Sequence, residues 1–107
     1  MSRATHPPDE RTQSMREKYI EQRLVSEVKK LGGICPKCVC PNYAGMPDRL
    51  VFLPDGRFAL VEVKAPGEKP RPLQTSRHRL LRALGFKVYV LDDPMQIGEI
   101  LNEIRTA

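Results

Sequence analysis

Asp48, Glu62 and Lys64 are the residues of this chain whose types and spacing could do chemistry together. Two β-prone runs, residues 48–53 and 58–64, flank Pro54-Asp55-Gly56. That triplet suits a type I turn followed by a left-handed glycine, a common three-residue hairpin loop. Such a loop pairs Leu53 with Arg57, Leu50 with Leu60 and, at the far end, Asp48 with Glu62. Directly opposed residues of an antiparallel pair share a face, with Cβ atoms about 5 Å apart. Lys64, two residues beyond Glu62, points the same way. A two-residue turn would send the two carboxylates to opposite faces. The rest of the shared face, Leu50, Phe52, Phe58 and Leu60, reads as core.

Two adjacent carboxylates repel, and one tends to keep its proton unless something compensates. A hard, oxygen-seeking cation such as Mg²⁺ or Mn²⁺ removes the conflict. It could hold a phosphate oxygen, acidify an attacking water and steady the leaving oxygen. Lys64 would orient that water or offset charge on phosphorus. On the hairpin alone, this reading competes evenly with an ordinary ion pair between Glu62 and Lys64 beside an Asp at a strand start.

The chain has 107 residues, enough for one domain. Lys and Arg number 18 against 13 Asp and Glu, a formal charge of +5. That balance favours a polyanionic partner and argues against an acidic, solvating role. With 40% apolar and 29% charged residues, the composition is that of a soluble globular protein. No apolar run is long enough to span a bilayer, and no export signal is visible, so a cytoplasmic location is expected. Cys35, Cys38 and Cys40 are crowded and odd in number, which does not suit a disulfide framework. A zinc knuckle would need a fourth ligand, and His6 and His78 are far off in sequence. Small, buried or half-buried strand residues are the simpler reading.

Residues 1–13 read as a flexible polar leader and residues 14–107 as a single domain. Ser14 and Glu17 form a capping-box pattern that starts a helix over about residues 15–31. Its stripe is Ile20, Leu24, Val28 and Leu31, and Gly32-Gly33 closes it. Residues 34–40 predict a short strand, at a sheet edge because of Pro36. After the hairpin, residues 65–72 are a Pro-rich basic loop. Residues 73–84 predict an Arg-rich helix ended by Gly85, and residues 86–91 a strand. Asp92 or Asp93 caps a last helix over about residues 94–105, with Pro94 in its first turn. The order αβββαβα implies a mixed β-sheet flanked by helices, an α/β or α+β sandwich.

The stretch GMPDRLVFLPDGRFALVEVK resembles the PD-(D/E)xK nuclease superfamily, with Pro47-Asp48 as its PD and Glu62-Val63-Lys64 as its ExK. The motif is short, and its surroundings make it specific: Gly45-Met46 before it, Ala65-Pro66-Gly67 after it, then Pro72-Leu73-Gln74, Arg82-Ala83-Leu84-Gly85-Phe86 and Val88-Tyr89-Val90. This string resembles the VRR-NUC family, the virus-type replication-repair nucleases, over about residues 17–100. The resemblance implies a restriction-endonuclease-like fold and a Mg²⁺ or Mn²⁺ cofactor. It implies Asp48, Glu62 and the Val63 backbone carbonyl as metal ligands and Lys64 as the catalytic lysine. Gln74 matches a glutamine near the active site. Glu21 matches the acid that the first helix points at the metal; it stands eleven residues before Gly32, as in related resolvases. It also falls on the apolar face between Leu24, Val25 and Val28. Glu17 shares that face one turn earlier and stays an alternative. The three cysteines are not part of the family pattern and leave open an extra role for their strand.

Lys69 and Arg71 in the loop, with Arg77, Arg79 and Arg82 on the second helix, could grip phosphates. For Arg79 and Arg82 a solvated helix face fits equally. His78 reads as a surface histidine, and Tyr43 and Met46 could shape a DNA groove. The expectation is a Mg²⁺- or Mn²⁺-dependent DNA endonuclease selective for branched DNA such as four-way (Holliday) junctions. A homodimer would place two sites on symmetric strands; no membrane and no small-molecule cofactor are implied. The alternatives are a flap, nick or plain-duplex nuclease, a DNA-binding module with an inactive nuclease fold, and a zinc-knuckle adaptor centred on the cysteines.

Overall fold

The computed structural model describes residues 10–106; residues 1–9 of the expected leader, His6 among them, lie outside. Helix α1 spans Glu10–Lys30. It is already helical at Glu10, so Ser14 lies inside it and does not cap it, and the boundary expected after residue 13 falls within the helix. Glu10, Arg11 and Gln13 are good helix formers and carry the helix a turn further. Its C-terminus is as expected: Gly33 N–H donates to the Val28 carbonyl and Gly32 N–H to that of Lys29, each at 3.0 Å. Ile20, Leu24 and Val28 are fully buried.

Strands β1 (Arg49–Leu53) and β2 (Arg57–Val63) pair antiparallel, from Leu53 opposite Arg57 to Arg49 opposite Val61. The next step along this register sets Asp48 across from Glu62. The connecting turn differs from expectation. Asp55 is itself left-handed (φ 68, ψ 25), as is Gly56 (φ 72), whereas a type I turn would leave only the glycine so. Aspartate tolerates that conformation, and because the loop keeps three residues the register is unchanged.

Residues 34–40 do not form the expected strand. Ile34 and Phe52 exchange two backbone bonds of 3.0 Å, Leu50 N–H donates to the Pro36 carbonyl at 3.0 Å, and Cys38 N–H donates to that of Asp48 at 2.8 Å. The three pairs keep one antiparallel register against β1. Pro36 has no N–H to return, so the ladder is reduced to isolated bridges at Ile34–Phe52 and Lys37–Arg49. The element order is therefore αββαβα.

Strand β3 (Val88–Leu91) joins β2 in parallel, giving the order β1-β2-β3. A parallel pair needs a crossover, which helix α2 (Pro72–Ala83) supplies. A 3₁₀ turn, Pro94–Gln96, is capped by Asp93, whose Oδ1 accepts from Met95 N–H at 2.9 Å. Helix α3 (Ile97–Thr106) follows.

The main core lies on one face of the sheet. Val51, Leu53, Ala59, Val61, Val63 and Leu91 pack there against the stripe of α1 and against Ile97, Ile100, Leu101 and Ile104 of α3. The sequence reading placed the core on the opposite face. That face holds Leu60 and Glu62 buried at one end, but Phe52 at its other end is exposed. The hairpin is apolar on both faces, so alternation could not tell which one meets the two-helix layer.

Candidate active site

Asp48 sits where the loop of residues 41–47 enters β1, and Glu62 and Lys64 sit at the carboxyl end of β2. Asp48 Oδ2 accepts the Val63 N–H at 2.8 Å. Lys64 N–H donates to the Leu91 carbonyl at 2.9 Å, which ties the strand end to β3. Glu62 is only 1% exposed. Its Oε2 accepts from Gln74 Nε2 at 3.1 Å and lies 3.3 Å from Lys64 Nζ. The Gln74 amide is held at its other end too, where Oε1 accepts the Arg71 N–H at 2.8 Å. His78, one turn further along α2, is 2% exposed, and its Nε2 stands 3.6 Å from Glu62 Oε1. Neither of those two atoms has a hydrogen-bond partner among the described residues.

Burial above all, then the charge of Asp48 and a hydrogen bond with its carboxyl, push Glu62 up to about 8 against the pull of Lys64. Glu62 therefore tends to keep its proton at neutral pH, the outcome expected for one of two adjacent carboxylates. Glu17 is raised as well, first by burial and then by Asp48, with Lys64 opposing. Burial, followed by the charges of Arg82 and Lys64, lowers His78 and keeps its imidazole neutral.

The structure brings Asp48, Glu62, Lys64 and Gln74 together. Glu21 is engaged elsewhere: its Oε2 takes Arg49 Nε at 2.8 Å, and Arg49 Nη1 continues to the Cys35 carbonyl at 2.9 Å. Arg49 follows Asp48 in sequence but points to the other face of the sheet, and it draws Glu21 with it. On α1, Glu17 feels the charges of Asp48 and Lys64.

Arg77 is not an open phosphate grip. Its Nε donates to the Ala44 carbonyl at 2.9 Å, and its guanidinium lies 3.9 Å from the centre of the Tyr43 ring. Gly45 beside it has φ +92, and a Cβ there would meet Leu73 Cγ and Arg77 Cγ at 2.9 Å. The loop that delivers Asp48 is thus clasped onto α2. Met46 is half-buried in that loop, while Lys69, Arg71 and Arg79 are exposed. Arg82 Nη2 donates to the Val88 carbonyl at 2.8 Å. Cys35 belongs to the core, and burial pushes its thiol up to about 11. Cys38 and Cys40 lie 3.9 Å apart, and no three His, Cys, Asp or Glu side chains form a ready metal cluster among the described residues. The sequence reading took His78 for a surface histidine, but α2 buries it against Glu62. The signal was its position four residues after Gln74, on the same helix face.

A mixed sheet that sets a PD aspartate beside an ExK pair at one end of a hairpin is the scaffold of a nuclease. The model of the VRR-NUC domain matches residues 11–93. The protein named "Putative nuclease p44" of Acyrthosiphon pisum secondary endosymbiont phage 1 is 58% identical over 78 residues, covering 73% of this chain and 84% of that one. A solved VRR-NUC domain superposes with a TM-score of 0.76 at 30% identity, covering 81% of this chain and 95% of that domain. The chain belongs to the VRR-NUC family of nucleases.

Proposed function

We propose that this nuclease is a Mg²⁺- or Mn²⁺-dependent endonuclease that hydrolyses DNA phosphodiester bonds. The observation that carries this is the buried Glu62 carboxyl set beside Asp48, with Lys64 Nζ 3.3 Å from Glu62. The donors fit a hard divalent cation: they are all oxygen, the proton on Glu62 is one a cation would displace, and Glu62 Oε1 has no hydrogen-bond partner among the described residues. Asp48, Glu62 and the Val63 backbone carbonyl would hold the ion, with Glu17 on the adjoining helix. So sparse a set suits an ion that keeps several waters. When bound, the ion supplies Lewis acidity toward the phosphate. Lys64 brings its positive charge to the phosphate and donates a hydrogen bond where negative charge develops. Gln74 fixes Glu62, and the clasped loop of residues 41–47 forms one wall. Lys69, Arg71 and Arg79 are exposed and available to phosphates.

Within that reading the substrate is branched DNA such as a four-way junction, and the acting species is a homodimer. An apolar surface on the α2 side supports the dimer: Ile34, Phe52, Leu84 and Phe86 are exposed, and Phe58 meets Phe86 edge-on with centroids 6.3 Å apart. A two-fold dimer would present two sites to symmetric strands. The test is a panel of four-way junctions, flaps, nicked and linear duplexes in Mg²⁺ and in Mn²⁺, run beside Lys64→Ala. Paired nicks in junctions, lost with EDTA and in the variant, are expected. Cleavage that survives Lys64→Ala would sink the site; equal rates on linear duplex would sink the junction preference.

A further inference from the structure

We propose that His78 is a positioning residue for Glu62, donating a hydrogen bond from Nε2 to Glu62 Oε1 when that carboxylate holds a divalent cation. This rests on the metal-dependent reading of the site. The starting observation is a pair of orphans. Glu62 Oε1 and His78 Nε2 are both buried, both lack a hydrogen-bond partner, and stand 3.6 Å apart. That separation is a few tenths of an ångström beyond a hydrogen bond. An unsatisfied buried polar atom destabilises the fold, so two that face each other have a strong reason to close. An ionised carboxylate only accepts hydrogen bonds, and His78 Nε2, which can carry a hydrogen, stands 3.6 Å from Oε1.

The other carboxylate oxygen explains the arrangement. Oε2 already has Gln74 Nε2 at 3.1 Å and Lys64 Nζ at 3.3 Å. Gln74 and His78 are four residues apart on α2, so they lie on one helix face, one turn from each other. The helix thus offers one donor to each oxygen of Glu62 and fixes the plane of the carboxylate from behind. Packing alone does not call for a histidine here: an apolar side chain would fill the space without burying an unpaired nitrogen. Partners of metal-ligating groups typically change metal affinity 10–100-fold when removed.

The experiment measures Mn²⁺ binding to the DNA-free protein by calorimetry or electron paramagnetic resonance. It compares wild type with His78→Leu, His78→Phe and His78→Gln, each confirmed folded by a thermal melt. The two apolar variants guard against one failing to fold. Leu and Phe should weaken Mn²⁺ binding about 10–100-fold and raise the Mn²⁺ concentration for half-maximal cleavage by the same factor. Gln, whose amide can donate toward Oε1, should recover much of the loss. Wild-type Mn²⁺ affinity in the folded Leu or Phe variant would overturn the proposal while leaving the metal site intact. A Gln variant as weak as Leu would overturn the donor role. No Mn²⁺ binding by wild type would overturn the metal-dependent reading and this proposal with it.

Discussion

Replacing Glu62 with Gln should leave the protein inactive but, in the absence of cation, more stable. Glu62 titrates at about 8 in the fold against a usual value of 4.5. Below the usual value, folded and unfolded chains both hold the proton and nothing is lost. Between the two values the unfolded chain releases its proton while the folded one does not, so stability falls by about 1.4 kcal/mol per pH unit. At pH 7 the deficit amounts to about 3 kcal/mol, and above pH 8 it levels off near ~5 kcal/mol. Gln has nearly the same shape and cannot ionise, so the variant lacks this slope. Thermal or urea unfolding in EDTA from pH 5 to pH 8 would show it. The two stability curves should draw together toward pH 5 and separate by about 3 kcal/mol at pH 7, a Tm difference of at least about 10 °C for a domain of this size. Mn²⁺ should then raise the wild type and leave the variant unmoved, because only the ionised pair binds it. Parallel curves across the pH range would refute the reasoning, since the buried carboxyl would then titrate as it does in the unfolded chain.

Glu17→Gln should cut cleavage more deeply than Glu21→Gln when the two are assayed side by side on one substrate. Glu21→Gln should instead cost about 1–2 kcal/mol of stability in urea unfolding, between the exposed and buried limits for losing an ion-pair partner. Gly45→Ala forces a side chain into a left-handed backbone and against Leu73 and Arg77; a loss of about 1–2 kcal/mol and a slower cleavage rate are expected, read by melting and by single-turnover kinetics. Changing Lys69 and Arg71 together to Ala should weaken DNA binding evenly across sequences and lower the salt slope by about 2, measured by titration at several salt concentrations. Arg77→Ala should leave that slope nearly intact, because its guanidinium is occupied by Ala44 and Tyr43.

The meeting of Asp48 and Glu62 was legible in the sequence because it depends on a count. Three residues between two strands fix the register whatever their dihedral angles, and so it held although Asp55 turned left-handed where a type I turn was expected. The helix stripe Ile20-Leu24-Val28 was legible for a similar reason, since its period is local. The choice of core face was not. Leu50, Phe52, Phe58 and Leu60 are as apolar as Val51, Leu53, Ala59 and Val61, and only the placement of α1 and α3 distinguishes them. The pairing of Glu21 with Arg49, a partner 28 residues away, was not legible either. His78 sits between two arginines and looks solvated until α2 is laid across the end of β2. Long-range partners decide each of these cases, and no window of sequence contains them.

The pairing of the Pro36 segment with β1 has a consequence beyond the broken ladder. Among the described residues this segment is the outermost backbone on the β1 side of the sheet, where a free strand would offer a template to any other unfolded chain. Ile34, Pro36 and Cys38 turn their backbone groups inward to β1, so Cys35 and Lys37 face outward. The carbonyl of Cys35 is already taken by Arg49, and Lys37 adds an exposed charge. On this side the sheet is therefore a poor template for fibril-like growth or for strand exchange between copies.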